Sequence, residues 1–298
     1  MNDMADALTE EKDENEWKQV FLAAAEDGRV DVVNECLQNA RCLVDCRNED
    51  GRTGLILASW KGHHDVVVVL LAHNCNLDIQ DTACGSTAVM FAAQSGHKDV
   101  LDRLLAHNCN LDIKNNNGWV ALLYGVYNNH KDIVAALLRY NCNVDMQDNR
   151  GSNAIILAAL NGYKDLADLL IANNCNLDMQ NELGETALMS AAHYGHKDIA
   201  AILIDHKCNL DLENKFGETA DMVARRYLQS DVFRLIMKPV RRNRRLKRRW
   251  NRRKALMMVL VENKYLMSST NPPADDSPLP YIKVLGDLFL VRQIMRSL

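Results

Sequence analysis

The chain has 298 residues, 48% apolar and 25% charged, with a formal net charge of −4. That balance belongs to a folded protein, not to a disordered polyelectrolyte. Nine cysteines are too sparse for a disulfide scaffold, and no apolar run exceeds seven residues, against the roughly 20 a membrane helix needs.

The first sixteen residues, MNDMADALTEEKDENE, are acidic and lack an apolar core. They do not read as a secretory signal, and disorder is expected through Glu16. An intracellular, reducing compartment (cytoplasmic and/or nuclear) with free thiols is expected from this and the cysteine usage.

From residue 17 the chain repeats itself. Gly51, Gly85, Gly118, Gly151, Gly184 and Gly217 are separated by one step of 34 and four of 33 residues, the extra residue falling in DTACGST. Eleven residues after the first five of these comes a second turn signal, at Gly62, Gly96, Asn129, Gly162 and Gly195, and Gly28 marks the same turn in a first, incomplete unit. An octet closes each unit: RCLVDCRN (41–48), NCNLDIQD (74–81), NCNLDIKN (108–115), NCNVDMQD (141–148), NCNLDMQN (174–181) and KCNLDLEN (207–214). A fixed period of this length marks a stacked-repeat architecture.

Between the turns the pattern is helical. TALMSAAHYG (186–195) predicts a short helix with small apolar residues. HKDIAAILIDH (196–206) places Ile199, Ile202 and Leu203 at the spacing of an amphipathic second helix. Asp198 stands near its start, where a negative charge suits the helix dipole. Asn174 takes the place of the glycine that usually ends a helix in left-handed geometry. Each unit therefore reads turn, helix, turn, helix, extended loop.

These residues resemble the ankyrin repeat over about 17–237, in seven units. The signature positions read TGLILA, TAVMFA, VALLYG, NAIILA, TALMSA and TADMVA, and the second helices open GHHDVV, GHKDVL, NHKDIV, GYKDLA and GHKDIA. The family's proline at the head of the first helix is absent, and its histidine is replaced by Ile56, Met90, Leu123, Ile156 or Met189. The resemblance implies an all-α fold, a solenoid of helix-turn-helix units with extended hairpin loops, followed here by a basic helical C-terminal tail. It also implies a non-enzymatic protein-protein interaction module or scaffold whose groove holds the partner.

The periodic cysteines Cys42, Cys75, Cys109, Cys142, Cys175 and Cys208 fall where the family's loop carries alanine. They are read as small hydrophobes between units. Helices in neighbouring units pack about 8–10 Å apart, too far for disulfides or for ligands converging on one metal ion. Cys36, Cys46 and Cys84 share no register. His63, His97, His130 and His196 also recur once per unit and read as helix-start and turn residues, while His64 and His193 have no partnered nucleophile. No catalytic, cofactor-binding or metal-binding residue is expected, and the chain is expected to be a monomer.

The resemblance places variable positions in the groove. Trp60, Phe91, Trp119, Tyr124, Tyr127, His193, Tyr194 and Phe216 fall there, although the chain is only 6% aromatic. Interface hot spots favour such side chains, and Trp119, Tyr124 and Tyr127 cluster in one unit. The competing reading is that several of them are partly buried between units.

Residues 238–298 carry fifteen Lys/Arg against four Asp/Glu, so the rest of the chain is strongly acidic. Residues 238–267 form a basic segment expected to be helical, with Arg241, Arg242, Arg244, Arg245, Lys247, Arg248, Arg249, Trp250, Arg252, Arg253 and Lys254 at its core. It is compatible with an import receptor, nucleic acid, a calmodulin-like protein, an anionic membrane, docking on the acidic repeats or simple solvation. A nucleic-acid-associated or nuclear regulator acting through this tail is the alternative function. SSTNPPADDSP (268–278) reads as a linker. Residues 279–298 read as an amphipathic helix, a cap or a faint likeness to the start of an F-box, which leaves a ubiquitin-ligase adaptor as a third reading.

Overall fold

The computed structural model describes residues 14–38 and 44–239. The readings that fall on 1–13, on Cys42 and on 240–298, including the basic cluster from Arg241 to Lys254, the linker and the closing helix, lie outside the described residues. Among the described residues helices run in order: α1 (Glu14–Asp27), α2 (Val30–Gln38), α3 (Gly54–Lys61), α4 (His64–Ala72), α5 (Ala88–Ser95), α6 (Lys98–Ala106), α7 (Ala121–Tyr127), α8 (Lys131–Arg139), α9 (Ala154–Asn161), α10 (Lys164–Ala172), α11 (Ala187–Tyr194), α12 (Lys197–Asp205) and α13 (Ala220–Arg226). A further helical stretch covers 230–239. Among the described residues there is no strand beyond one isolated bridge, Arg47 to Thr53. One expectation is corrected: α1 begins at Glu14, inside the stretch expected to be disordered through Glu16. Glu16 lies in the first turn of that helix, where acidic charge offsets the positive end of the dipole.

The helices stack in two layers. The first helices of successive units touch in the order α1, α3, α5, α7, α9, α11 and α13, and the second helices in the order α2, α4, α6, α8, α10 and α12. A first helix is covered on most sides, so it must be apolar and slender: Ala88 to Ala93 of α5 are all buried. A second helix is covered on one side only. In α6 the buried residues are Val100, Leu101, Leu104 and Leu105, and its other face carries charge. The residues that replace the family histidine, Ile56, Met90, Leu123, Ile156 and Met189, are each at most 1% exposed. They fill the core, so the missing histidine costs no packing.

The helix ends follow the expected backbone chemistry. Thr53, Asn153 and Thr186 cap α3, α9 and α11 by accepting the N–H of Ile56, Ile156 and Met189. Asn74, Asn108, Asn141 and Asn174 all adopt φ between 55° and 58° after the second helices, as the asparagine at the head of the octet predicts.

Besides the continuous apolar core, a set of polar ties, each used about once per seam, holds one unit to the next. The histidine that precedes a second helix makes no cap bond of its own. Its Nε2 instead bonds a carbonyl of the preceding unit: His63 to Glu26 O (2.8 Å), His97 to Trp60 O (3.1 Å), His130 to Gln94 O (3.2 Å) and His196 to Leu160 O (3.2 Å). Gln229 does the same job at His193 O. The ring packs closely against the turn glycine of the preceding unit. A Cβ on Gly62 would stand 2.6 Å from His97 Nδ1, and one on Gly96 would stand 2.9 Å from the His130 ring. The glycine thus provides left-handed backbone and ring space together. At Asn129 a Cβ already occupies that space, at φ 58°, and the residue a unit later is Tyr163, which makes no such tie.

The pairing of Asn129 with Tyr163 generates a test. Replacing both, Asn129→Gly with Tyr163→His, should install the missing tie and raise unfolding stability by about 0.5–1.5 kcal/mol. Tyr163→His alone should gain nothing. Urea midpoints of the two variants against the parent decide it.

Candidate protein-binding groove

The octet explains both the seam and the placement of the groove residues. Its first asparagine makes the left-handed turn. Its second accepts the backbone N–H two residues on, as Asn110 does from Asp112 (3.0 Å). Its aspartate accepts an N–H of the next unit: Asp45 from Asn76 (3.0 Å), Asp78 from Asn110 (2.9 Å), Asp145 from Asn176 (2.8 Å) and Asp178 from Asn209 (2.7 Å). Its glutamine donates across the seam, Gln80 to Lys114 O, Gln147 to Gln180 O and Gln180 to Glu213 O. Its last residue folds the hairpin, Asn115 Oδ1 accepting the N–H groups of Asn117 (3.0 Å) and Trp119 (2.8 Å). Hairpin tips are joined by backbone bonds, such as Asn149 N to Asn117 O (3.0 Å) and Glu182 N to Arg150 O (2.8 Å).

The cysteine of the octet faces the seam. Cys75, Cys175 and Cys208 are buried, and Cys109 and Cys142 are partly covered. The last two line an open pocket of about 250 Å3 with Tyr140. It lies at the one described seam where the aspartate tie, Asp112 to Asn143, is not made. Burial, and then the carboxylate of the preceding unit, pushes all five thiols up to about 12. They are protonated hydrophobes, not nucleophiles. Cys84 belongs to a different setting, its Sγ lying 3.3 Å from the buried Asp81 and 3.3 Å from Ser86 Oγ. Among the described residues no group of three or more His, Cys, Asp or Glu is placed to hold a metal ion.

The aromatic residues fall into separate groups along the first-helix face. Trp119 and Tyr124 have ring centroids 5.0 Å apart, and Trp119 meets Tyr127 edge-on at 5.3 Å. Asn115 orients this group twice, holding the Trp119 backbone and donating from Nδ2 to the Tyr124 hydroxyl (2.9 Å). Burial raises the Tyr124 phenol above its usual range. Tyr127 is 53% exposed. The three rings border a pocket of about 580 Å3 that reaches Gln94 on one side and Arg150, Leu157, Leu160 and Asn161 on the other.

Trp60 forms a second group. Arg52 lies 5.0 Å and Lys61 4.7 Å from its ring, and Phe91 lies 6.0 Å away. Phe91 corrects an expectation, because it is only 6% exposed. It shares the register of Leu57, Tyr124 and Leu157, one helical turn inward from Trp60, so it supports Trp60 from below and offers no contact surface. His193 forms a third group, stacked on Tyr194 at 4.4 Å and on Tyr227 at 3.7 Å. Phe216 stands apart at a hairpin tip and is 67% exposed.

Two exposed apolar residues were missed from sequence although the period marks them. Tyr227 repeats Tyr194 and Leu183 repeats Phe216, each at a distance of 33 residues. Gln94 shares the register of Trp60 and Tyr127, but as an amide it carries no aromatic signal.

The model of ankyrin repeats matches three times, over residues 1–81, 70–148 and 155–245. The chain belongs to the ankyrin repeat family. It is similar to the ankyrin repeat domain of Bcl-3, a unique member of the IkappaB protein family, at 25% identity and a TM-score of 0.66, over 72% of this chain and 97% of that domain. It is also similar to ankyrin repeat domain-containing protein 49 of Bos taurus, 37% identical over 70 residues, which is 24% of this chain and 29% of that protein. Ankyrin repeat domains in general mediate protein–protein interaction. Among the described residues no helix is long and apolar enough to cross a membrane.

The thiols generate a pH test. Between about pH 9 and 12 an unfolded chain releases these protons and the folded chain keeps them. Stability contributed by the buried thiols is therefore present below pH 9 and lost as pH rises, by up to about 1.4 kcal/mol per pH unit per thiol. Replacing all five by alanine should flatten the alkaline fall seen in urea midpoints between pH 7 and 10.5. In the folded protein at neutral pH the same thiols should resist iodoacetamide.

Proposed function

We propose that this chain is a non-catalytic recognition module or scaffold. Its groove of first-helix faces and hairpin tips binds another protein, with Trp119, Tyr124 and Tyr127 at the centre. The observation that carries this reading is the aromatic trio bordering the 580 Å3 pocket, with Tyr127 half exposed beside Trp119. Trp119 and Tyr124 pack in part against the core, Tyr127 leaves about half its surface to solvent, and large aromatic side chains dominate the energetics of interfaces. Trp60, His193, Tyr194 and Phe216 extend the same face at both ends.

A second reading comes from the eleven Lys/Arg between 238 and 254. Through that segment the chain would act as a nucleic-acid-associated or nuclear regulator, with the repeats as an accessory surface. The adaptor reading rests only on residues 279–298.

Trp119→Ala with Tyr127→Ala, in the full chain, should weaken capture of the partner by about 30-fold or more while leaving the melting temperature within about 3 °C of the parent. Capture that survives this pair but is lost on neutralising Arg244, Arg245, Arg248 and Arg249 transfers the function to the basic segment.

A further inference from the structure

We propose that the pocket between the fourth and fifth units takes a proline-rich peptide in extended conformation with an acidic flank. The inference rests on the groove reading and goes one step further, to the class of partner. The Asn128, Asn149 and Asn161 amides of the lining are spent on backbone carbonyls, but five other donors are uncommitted. The Trp119 indole N–H, the Tyr127 hydroxyl, the Gln94 and Asn117 amides and the Arg150 guanidinium make no hydrogen bond or ion pair among the described residues. A matching ligand brings acceptors and flat apolar surface, and few donors of its own.

A polyproline II segment has that character. Its carbonyls are not bonded internally, its prolines have no N–H, and its rings present flat faces to aromatic grooves. Tyr127 meets Trp119 at 75° between ring planes, which makes an open notch for a pyrrolidine ring. A helical ligand arrives with its carbonyls already used. A strand ligand needs a sheet edge, and the only pairing of that kind among the described residues is the isolated bridge at Arg47 and Thr53.

Charge selects the flank. Asp148 is the one acid in the pocket lining. It is 9% exposed, and its Oδ1 already accepts the N–H groups of Arg150 (2.9 Å) and Ser152 (2.8 Å). Arg150 is exposed and is the one basic residue of the lining. The charge that the rim presents to solvent is therefore that of Arg150, and an acidic neighbour to the prolines is favoured beside it.

The test is calorimetric titration of the full chain with the synthetic peptide EEPPLPPLPP, blocked at both ends. Saturable binding with Kd below about 100 μM is expected. The alanine peptide EEAALAALAA, and separately Tyr127→Ala with its melting temperature retained, should each weaken binding about tenfold or more. Arg150→Gln should weaken EEPPLPPLPP about threefold and leave QQPPLPPLPP unchanged. No saturation by about 1 mM, equal binding of the alanine peptide, or indifference to Tyr127→Ala overturns the proposal. If a protein partner then still requires Trp119 and Tyr127, the groove reading stands and the proline-rich class alone is discarded. If nothing requires them, both fall.

Discussion

No unit of this protein can fold alone, and the seam between units is the constraint from which the rest follows. From α3 to α13 the helices are seven to nine residues long. Isolated helices shorter than about 12–15 residues are marginal in water. Stability therefore comes from stacking, where each unit adds an interface with its neighbours. The apolar share of that interface is the continuous core from Phe21 to Ile236. The polar share is carried by the histidine rings, the octet aspartates and glutamines, and the backbone bonds between hairpin tips. Buried backbone groups must find partners, and a stack of identical units lets one local solution serve every layer.

This arrangement also decides what the repeat cannot do. A side chain that occurs once per unit is separated from its copies by a full layer, so recurrence spreads the residues along the stack and never gathers them. Six similar cysteines in the sequence suggest a site only until they are placed. In the structure each described copy is buried or partly covered and faces a carboxylate of the preceding unit, and both effects disfavour the thiolate. Exposed ion pairs such as Lys131 with Asp165 (3.0 Å) decorate the second helices, but at such exposure they add little.

Departures from the pattern concentrate in the fourth unit. Val120 stands before α7 where the other first helices from α3 on have Thr or Asn, Gly125 replaces an alanine within that helix, and Asn129 replaces the turn glycine. The seam before this unit lacks the aspartate tie, and the seam after it lacks the histidine tie. The same unit carries Trp119, Tyr124 and Tyr127, whose large rings cover part of its surface. Local rules are most often broken where a surface serves something other than folding, and Asn115 shows how the two demands are joined. One side chain closes the hairpin that every unit needs and also orients two of the three rings.

Periodicity alone determined the solenoid, the helix pairs, the left-handed asparagines and the structural role of the cysteines. All are consequences of local backbone geometry and one-dimensional spacing. The same register also marks Tyr227 and Leu183, one period from Tyr194 and Phe216, yet neither was read from the sequence. Depth was not legible, because Phe91 and Tyr124 share a register yet differ in exposure. Nor was the purpose of the histidines, whose partners are carbonyls 36 or 37 residues earlier. Only the tertiary structure decided these points, because burial and hydrogen bonding between layers depend on how closely adjacent units approach, a distance no single repeat encodes.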